Sequence, residues 1–148
     1  MIKHMPLFLP LLALVLSGCE IIDEGLKAER IRGSGRVMQE KRDVQGFSQV
    51  RLASVGDLNI VQGDSESLTV EAEDNILPRI QTVVEGGTLV IRTERGVSLS
   101  PTATIRYTLV VRELTDLELS GSGNIRTAPI RSQDLRVRIS GSGDVRLD

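Results

Sequence analysis

The sequence predicts an all-β fold, a parallel β-solenoid-like stack of strands with roughly 20-residue rungs. The first observation is a repeat, because residues 119–126 (Leu-Ser-Gly-Ser-Gly-Asn-Ile-Arg) return as 139–146 (Ile-Ser-Gly-Ser-Gly-Asp-Val-Arg). The second is that apolar and polar residues alternate around both copies with the period of a strand. The third is composition: 40% of the residues are hydrophobic but only 2% are aromatic, so the core must consist of Val, Ile and Leu. These residues favour strands.

Each copy of the repeat contains a Gly-Ser-Gly segment that interrupts the strand pattern, and we predict a structural corner there. Gly adopts positive φ without steric cost, and Asn or Asp is the next best residue. The predicted corner residues are Gly121, Gly123, Asn124, Gly141, Gly143 and Asp144. A phosphate-binding loop would need a third Gly and a following helix, whereas strand residues follow here. Calcium-binding repeats also build solenoids, but they need paired glycines that these segments lack.

Stacking the two copies as neighbouring rungs sets a register between them. Asp116 then lies beside Arg136 and Glu118 beside Arg138, so opposite charges meet on the outer surface. Exposed pairs contribute only ~0–1 kcal/mol each, but they help to specify register. A weaker copy of the corner at residues 52–60 predicts an earlier rung. The alternative is an ordinary β-sandwich in which the two copies are merely similar hairpins.

The C-terminal end of the sequence is locally basic, because it contains Arg126, Arg131, Arg136, Arg138 and Arg146. Arg126 beside Arg146 is the exception to the complementary pairing, since like charges oppose stacking. Anionic lipid headgroups or acidic glycans are the ligands that such a group of arginines would take. Pairing between rungs already accounts for Arg136 and Arg138, and we favour that interpretation.

Residues 1–18 have the features of a lipoprotein-type signal peptide. Their apolar run at residues 5–16 is too short to span a bilayer, which needs ~20 apolar residues. It leads into Leu16, Ser17, Gly18 and Cys19, which resemble the bacterial lipobox, whose Cys becomes the acylated N-terminus. We therefore predict lipid attachment at Cys19, and two or three acyl chains at ~0.8 kcal/mol per buried CH₂ give a stable anchor. A Glu after the Cys favours the outer membrane by resemblance to Gram-negative lipoproteins.

The chain is expected to contain a signal peptide at residues 1–18, a charged tether at 19–32 and a β-domain at 33–148. Within the domain, Gly86-Gly87 predicts a tight hairpin turn, residues 74–78 a single helical turn and 97–101 a loop. The last residues stop inside a predicted strand, without the polar cap that usually closes a solenoid. The expectation is that the chain is truncated or pairs this open edge with a partner.

The composition argues against common catalytic systems. His4 is the one His and lies in the predicted signal peptide, and Cys19 is the one Cys. The mature chain would therefore lack Ser-His-Asp and Cys-His pairs, and we expect no metal or other cofactor. A formal net charge of −2 does not favour a nucleic-acid partner. Glu71 and Glu73 share a strand face and could act as an acid/base pair, but sugar sites also use aromatic platforms, and Tyr107 shares the parity of core residues.

Five segments of the domain carry a family resemblance in their order and spacing. They are residues 44–50, 56–63, 74–77, 87–91 and 114–125. Together they resemble the putative auto-transporter adhesin, head GIN domain proteins of bacterial envelopes, over roughly residues 33–148. The resemblance implies a right-handed β-helix-like fold, a secreted or lipid-anchored location and a role in adhesion, and it brings no catalytic residues.

These observations together predict a non-enzymatic, lipid-anchored envelope protein, at the outer membrane, whose solenoid surface serves adhesion or protein interaction. The expected partners are the membrane, through the N-terminal lipid, an unidentified protein or glycan, and another copy along the open edge. No nucleic acid is expected. The first alternative is an envelope glycan-binding or signalling module, and the second is a carbohydrate-active β-helix enzyme.

Overall fold

The computed structural model describes residues 27–148, which form thirteen β-strands and one short 3₁₀ helix. The strands are β1 (Glu29–Arg32), β2 (Val37–Arg42), β3 (Gln49–Ala53), β4 (Gly56–Gln62), β5 (Ser67–Glu73), β6 (Ile80–Glu85), β7 (Thr88–Thr93), β8 (Val97–Ser100), β9 (Arg106–Val111), β10 (Asp116–Leu119), β11 (Gly123–Thr127), β12 (Arg136–Ile139) and β13 (Val145–Leu147). The 3₁₀ helix spans Leu77–Arg79, which confirms the predicted helical turn. The predicted all-β class is also confirmed.

The strands form two large mixed sheets and a separate pair. The five-stranded sheet has the order β12-β10-β3-β7-β6, the six-stranded sheet β13-β11-β4-β9-β5-β2, and β1 pairs with β8. Three of the pairs, β6–β7, β2–β5 and β5–β9, are antiparallel, so the sheets differ from a purely parallel solenoid. The reason is local at β6–β7: Gly86 and Gly87 both have positive φ and make the predicted two-residue turn, which returns the chain antiparallel.

Parallel pairing is concentrated where the repeat lies. Strands β3, β10 and β12 are neighbours in one sheet, and β4, β11 and β13 are neighbours in the other. Leu117 pairs with Val137 and Leu119 with Ile139, which confirms the predicted register between the copies. The weaker copy at 52–60, carried by β3 and β4, pairs in parallel with the first copy of the repeat, in the aligned register. Only the last two rungs are separated by the 20 residues of the repeat. The rung before them is further away in the sequence, since Arg51 of β3 pairs with Glu118 of β10, 67 residues away.

The inward-facing residues of the two large sheets form one hydrophobic core. In β11, for example, buried and exposed residues alternate strictly, with Ile125 inside and Arg126 outside. Tyr107 is fully buried, as predicted. Its hydroxyl donates a hydrogen bond to the Val55 carbonyl at 3.0 Å and lies 3.3 Å from the Ser54 hydroxyl. Burial raises the pKa of Tyr107 to about 12.

Two segments differ from the prediction made from the sequence. The tether was predicted to reach residue 32, and residues 97–101 were predicted as a loop, but these segments contain β1 and β8, which pair in parallel. Ile31 and Leu99 pack against the core from these strands. Four residues of alternation, the length of each strand, are too few to distinguish a strand from a loop. Residues 1–26, with the predicted signal peptide and most of the tether, lie outside the described residues.

Candidate functional site

The predicted lipid-attachment site cannot be placed on this fold. Cys19 and the lipobox residues Leu16, Ser17 and Gly18 all precede residue 27, where the described part of the chain begins. Lipid attachment therefore stays a prediction. Between residues 27 and 148, no helix is long and apolar enough to cross a bilayer.

The predicted corner residues lie where β10 leads into β11 and where β12 leads into β13, and Gly123 and Asn124 are the first two residues of β11. Gly121 packs on the backbone of Ser54 and Gly123 on that of Gly56, while Gly141 and Gly143 pack in turn on Gly121 and Gly123. A Cβ at any of the four would overlap a backbone oxygen of the next rung. The predicted reason, positive φ, is wrong for Gly121, Gly123 and Gly141. The Gly-Ser-Gly segments instead let neighbouring backbones approach closely.

Asn124 and Asp144 also act differently from the prediction, which assigned them to left-handed backbone. No residue other than Gly has positive φ between residues 27 and 148. The Asn124 side chain instead bridges three rungs, because its Nδ2 donates to Asp57 Oδ1 at 2.9 Å and its Oδ1 accepts from the Asp144 N–H at 3.3 Å. Asn124 is therefore a side-chain link between neighbouring rungs, and Asp144 contributes its backbone N–H to that link.

Charged residues on the outer face of the five-stranded sheet pair with one another, and we call this set the charged ladder. Arg136 Nη1 lies 3.5 Å from Asp116 Oδ1, and Arg138 Nη2 lies 3.8 Å from Glu118 Oε2, which confirms both predicted pairs. Glu118 Oε2 also accepts from Arg51 Nε at 3.1 Å. The ladder therefore matches cation with anion across three neighbouring strands.

The outer face of the six-stranded sheet carries a second set of matched groups, the paired row. It crosses the strands in the order Gln39, Glu71, Arg106, Asp57 and Asn124. Arg106 Nη1 forms a salt bridge with Glu71 Oε1 at 2.8 Å, and Asn124 donates to Asp57 as described above. Four of the five side chains of this row are thus paired with one another within the sheet.

The next row of outward-facing residues on the same sheet has a different character, and we call it the open row. Strand register places its members in this order from β2 to β13: Lys41, Thr69, Thr108, Asn59, Arg126 and Arg146. Among residues 27–148, none of these six side chains forms a salt bridge or a side-chain hydrogen bond like those of the paired row. The open row therefore presents unused cations and hydrogen-bonding groups to solvent.

Two shallow clefts lie along the end of the open row that carries its arginines. One, of about 110 Å³, is lined by Arg126 and Arg146 together with Asn124 and Asp144. The other, of about 220 Å³, continues across the sheet and is lined by Asn59 and Arg126, among others. Both clefts share Arg126 and Asn124. Open-row cations and paired-row carboxylate and amide groups therefore line one continuous polar surface.

The predicted acid/base pair is not assembled as a catalytic site. Glu73 is fully buried, and its carboxylate accepts hydrogen bonds from the N–H of Gly35 at 2.7 Å, from the N–H of Thr102 at 2.9 Å and from the Thr102 hydroxyl. The Thr102 hydroxyl is the main reason that the pKa of Glu73 is lowered. Glu71 has a separate partner, Arg106. Both carboxylates thus serve the fold, and residues 27–148 contain no cluster of three or more His, Cys, Asp or Glu that could hold a metal ion.

Several solved structures share this fold. A putative adhesin from Bacteroides fragilis is 20% identical with a TM-score of 0.74, and the match covers 79% of this chain and 55% of that chain. A putative lipid binding protein from Parabacteroides distasonis is 26% identical with a TM-score of 0.72, covering 79% and 51%. A putative adhesin from Parabacteroides merdae is 16% identical with a TM-score of 0.68, covering 81% and 56%. The chain spans about half the length of these structures.

The sequence itself also matches a family. No curated protein matches the chain. A family model described as putative auto-transporter adhesin, head GIN domain, matches residues 46–148 and so covers more than half of the chain. This match includes the charged ladder on β10 and β12 and the two arginines of the open row. The chain belongs to the putative auto-transporter adhesin, head GIN domain family, as its sequence motifs predicted.

Proposed function

We propose that the protein is a non-enzymatic, lipid-anchored protein of the bacterial cell envelope whose β-stack presents a surface for adhesion or protein interaction. The observation that carries this proposal is the open row, a band of polar side chains without partners on an exposed sheet face. Water solvates such groups at little cost, and a ligand can replace that water. Family membership supports an envelope location.

The anchor in this proposal is a lipid on Cys19, supported by the lipobox residues before it. Acyl chains on the N-terminus would hold the domain at a membrane while leaving both outer sheet faces in water. The Glu that follows Cys19 supports the outer membrane rather than the inner membrane.

We further propose that the parallel strands form the solenoid-like part of the fold. Their two columns, β7–β3–β10–β12 and β9–β4–β11–β13, each contain four parallel strands. Right-handed winding is expected, as the family implies, because crossover connections between parallel strands are right-handed in nearly all proteins. The antiparallel strands β2, β5 and β6 cover the other end of this stack.

Two other functions receive less support. A carbohydrate-active enzyme would need two carboxylates with unoccupied oxygens, whereas Glu71 and Glu73 both hold structural partners. One of the similar structures is a putative lipid binding protein, so lipid binding is a second candidate function for this chain. The cleft at Arg126 is lined mostly by polar residues, however, and so is a further cleft lined by Gln62, Asp64, Arg112 and Arg131, among others. An acyl chain needs an apolar cavity.

The proposal is tested by producing the full chain in a bacterial host that processes lipoproteins. We expect the protein to incorporate labelled palmitate, to fractionate with membranes and to increase attachment of cells to envelope material coated on a surface. Cys19→Ala should abolish labelling, membrane fractionation and attachment together. Ser17→Ala is the matched control, because it keeps a small residue before the Cys and should preserve all three. If the wild-type chain did not incorporate labelled palmitate, the lipid anchor would be refuted. If cells that produce the wild-type chain attached no better than cells without it, adhesion would be refuted.

A further inference from the structure

We propose that the open row binds an acidic polysaccharide, with carboxylates of the glycan held by Arg126 and Arg146. This inference names the ligand class of the surface in the proposed function and rests on it. The glycan would cross the strands along the row, from the paired arginines towards Lys41 on β2.

The first reason is the like-charged pair. Arg126 and Arg146 are direct partners on parallel strands, in a position where like charges weaken strand pairing. On the other sheet the same two rungs place Asp116 against Arg136 and hold them as an ion pair. The two arginines therefore do not stabilise the pairing of β11 with β13, whereas they would stabilise a ligand anion bound between them.

The second reason is geometry. Neighbouring strands lie ~4.8 Å apart, so two guanidinium groups on adjacent strands can grip one carboxylate from both sides, each through charge-assisted hydrogen bonds. The shallow cleft of about 110 Å³ lies between these two side chains. It is open to solvent along the face, which suits a segment of a polymer better than a small molecule that must be enclosed.

The third reason is the order of groups along the row. After the two arginines come Asn59, Thr108 and Thr69, which are neutral and can both donate and accept hydrogen bonds, and then Lys41. Each strand advances the row by ~4.8 Å, about the length of one sugar ring, and the whole row spans ~24 Å. A chain of acidic sugars offers hydroxyls for the neutral positions and carboxylates for both cationic ends.

The neighbouring groups favour this ligand over a membrane or a nucleic acid. Asp144 lines the arginine cleft, and Asp57 lines the next one. These carboxylates can accept hydrogen bonds from the hydroxyls that each sugar unit carries beside its acid group. Phe47 and Tyr107 are both buried, so neither can stack on a neutral sugar or a base. Recognition must therefore rely on charge, which selects an acidic glycan.

The experiment measures binding of the full chain, purified in non-ionic detergent, to polygalacturonate and to its methyl ester. The ester has the same sugar backbone without the charge. We compare the double variant Arg126→Gln/Arg146→Gln with the control Arg136→Gln/Arg138→Gln, which removes the same charge from one strand, β12, of the opposite sheet. Thermal unfolding of both variants verifies the fold, and the first should be no less stable because it removes a like-charge pair.

We expect the wild-type chain to bind polygalacturonate, more weakly as salt rises, and not the methyl ester. The open-row double variant should lose roughly tenfold or more of this affinity, and the control variant less than about twofold. Lys41→Gln should weaken binding of polygalacturonate but not of a trimer of galacturonate, which is too short to reach from the arginines to Lys41. An equal effect of Lys41→Gln on both would overturn the direction of the chain across the strands.

Other outcomes would overturn the proposal. Equal losses in the two double variants would mean that only overall charge matters. Binding to phosphatidylglycerol vesicles through Arg126 and Arg146, without binding to polygalacturonate, would assign the surface to a membrane. If no anionic ligand binds but the full chain still promotes cell attachment, the proposed function stands and this inference fails. If polygalacturonate binds but the chain does not promote cell attachment, the proposed glycan site is supported and the proposed role in adhesion is refuted.

Discussion

Replacing Gly123 with Ala is expected to destabilise the fold because the added Cβ must force two rungs apart. It would overlap the carbonyl oxygen of Gly56 and lie 3.2 Å from Leu52 Cδ2. Overpacking of this kind costs ~1–3 kcal/mol. Moving β11 away from β4 weakens backbone hydrogen bonds worth ~0.5–1.5 kcal/mol each. The lower chain entropy of Ala in the unfolded state offsets only ~0.4–1 kcal/mol.

The net loss is therefore ~2–4 kcal/mol out of a total free energy of unfolding of ~5–15 kcal/mol. We expect the urea midpoint, followed by circular dichroism, to fall with little change in slope, and the melting temperature to fall by about 10 °C. Ser122→Ala is the matched control: its side chain is exposed in the same corner, so its effect should stay within ~0.5 kcal/mol. Equal midpoints for the two variants would refute the close approach of the rungs.

Two further predictions concern buried titratable groups. The pKa of Glu73 is lowered, mainly by the Thr102 hydroxyl, so its contribution to stability is present above the unfolded value of 4.5 and is lost as pH falls through the lowered folded value. In a plot of unfolding free energy against pH, Glu73→Gln should therefore flatten the fall on the acid side. An unchanged fall would contradict the assignment. Tyr107 is the one Tyr, and its pKa is raised from 10.0 to about 12. Phenolate absorbance should therefore rise near pH 12 in folded protein but near pH 10 in urea, and the free energy of unfolding should fall above pH 10. A titration midpoint near pH 10 in the folded protein would disprove the burial of Tyr107.

The register of the last two rungs could be predicted from the sequence because the same segment occurs twice, and aligning the two copies sets the pairing. Once the repeat is aligned, Asp116 must meet Arg136, and Leu119 must meet Ile139. The buried position of Tyr107 followed from the same alternation, since the period of a strand fixes which side chains share a face. The need for Gly at the corners was also visible, but its reason was not. Close approach depends on the neighbouring rung, whereas positive φ is a property of the residue itself.

Apart from the β6–β7 hairpin, which Gly86-Gly87 predicted, the antiparallel pairs could not be predicted because parallel and antiparallel strands have the same period of two. Which strand lies beside β9 depends on contacts far apart in the sequence: β9 has β4 on one side, parallel, and β5 on the other, antiparallel. The open row was hidden for the same reason, since its six residues come from six strands between Lys41 and Arg146. One signal was available, the like-charged Arg126 and Arg146 in the aligned repeat, which interrupted an otherwise complementary pattern.

The construction of the stack explains how the shallow clefts on its sheet face would serve the proposed recognition. Each rung buries its inward residues, such as Ile125, and leaves its outward residues in line with those of the next rung. Rows whose charges match, such as Glu118 with Arg51 and Arg138, fix the register and leave little for a partner. A row whose charges do not match adds one unpaired group at every strand, ~4.8 Å apart, and this repeat can fit a polymer. Stability and recognition are thus assigned to different rows of the same sheets, so the arginines of the open row can be exchanged without loss of the fold.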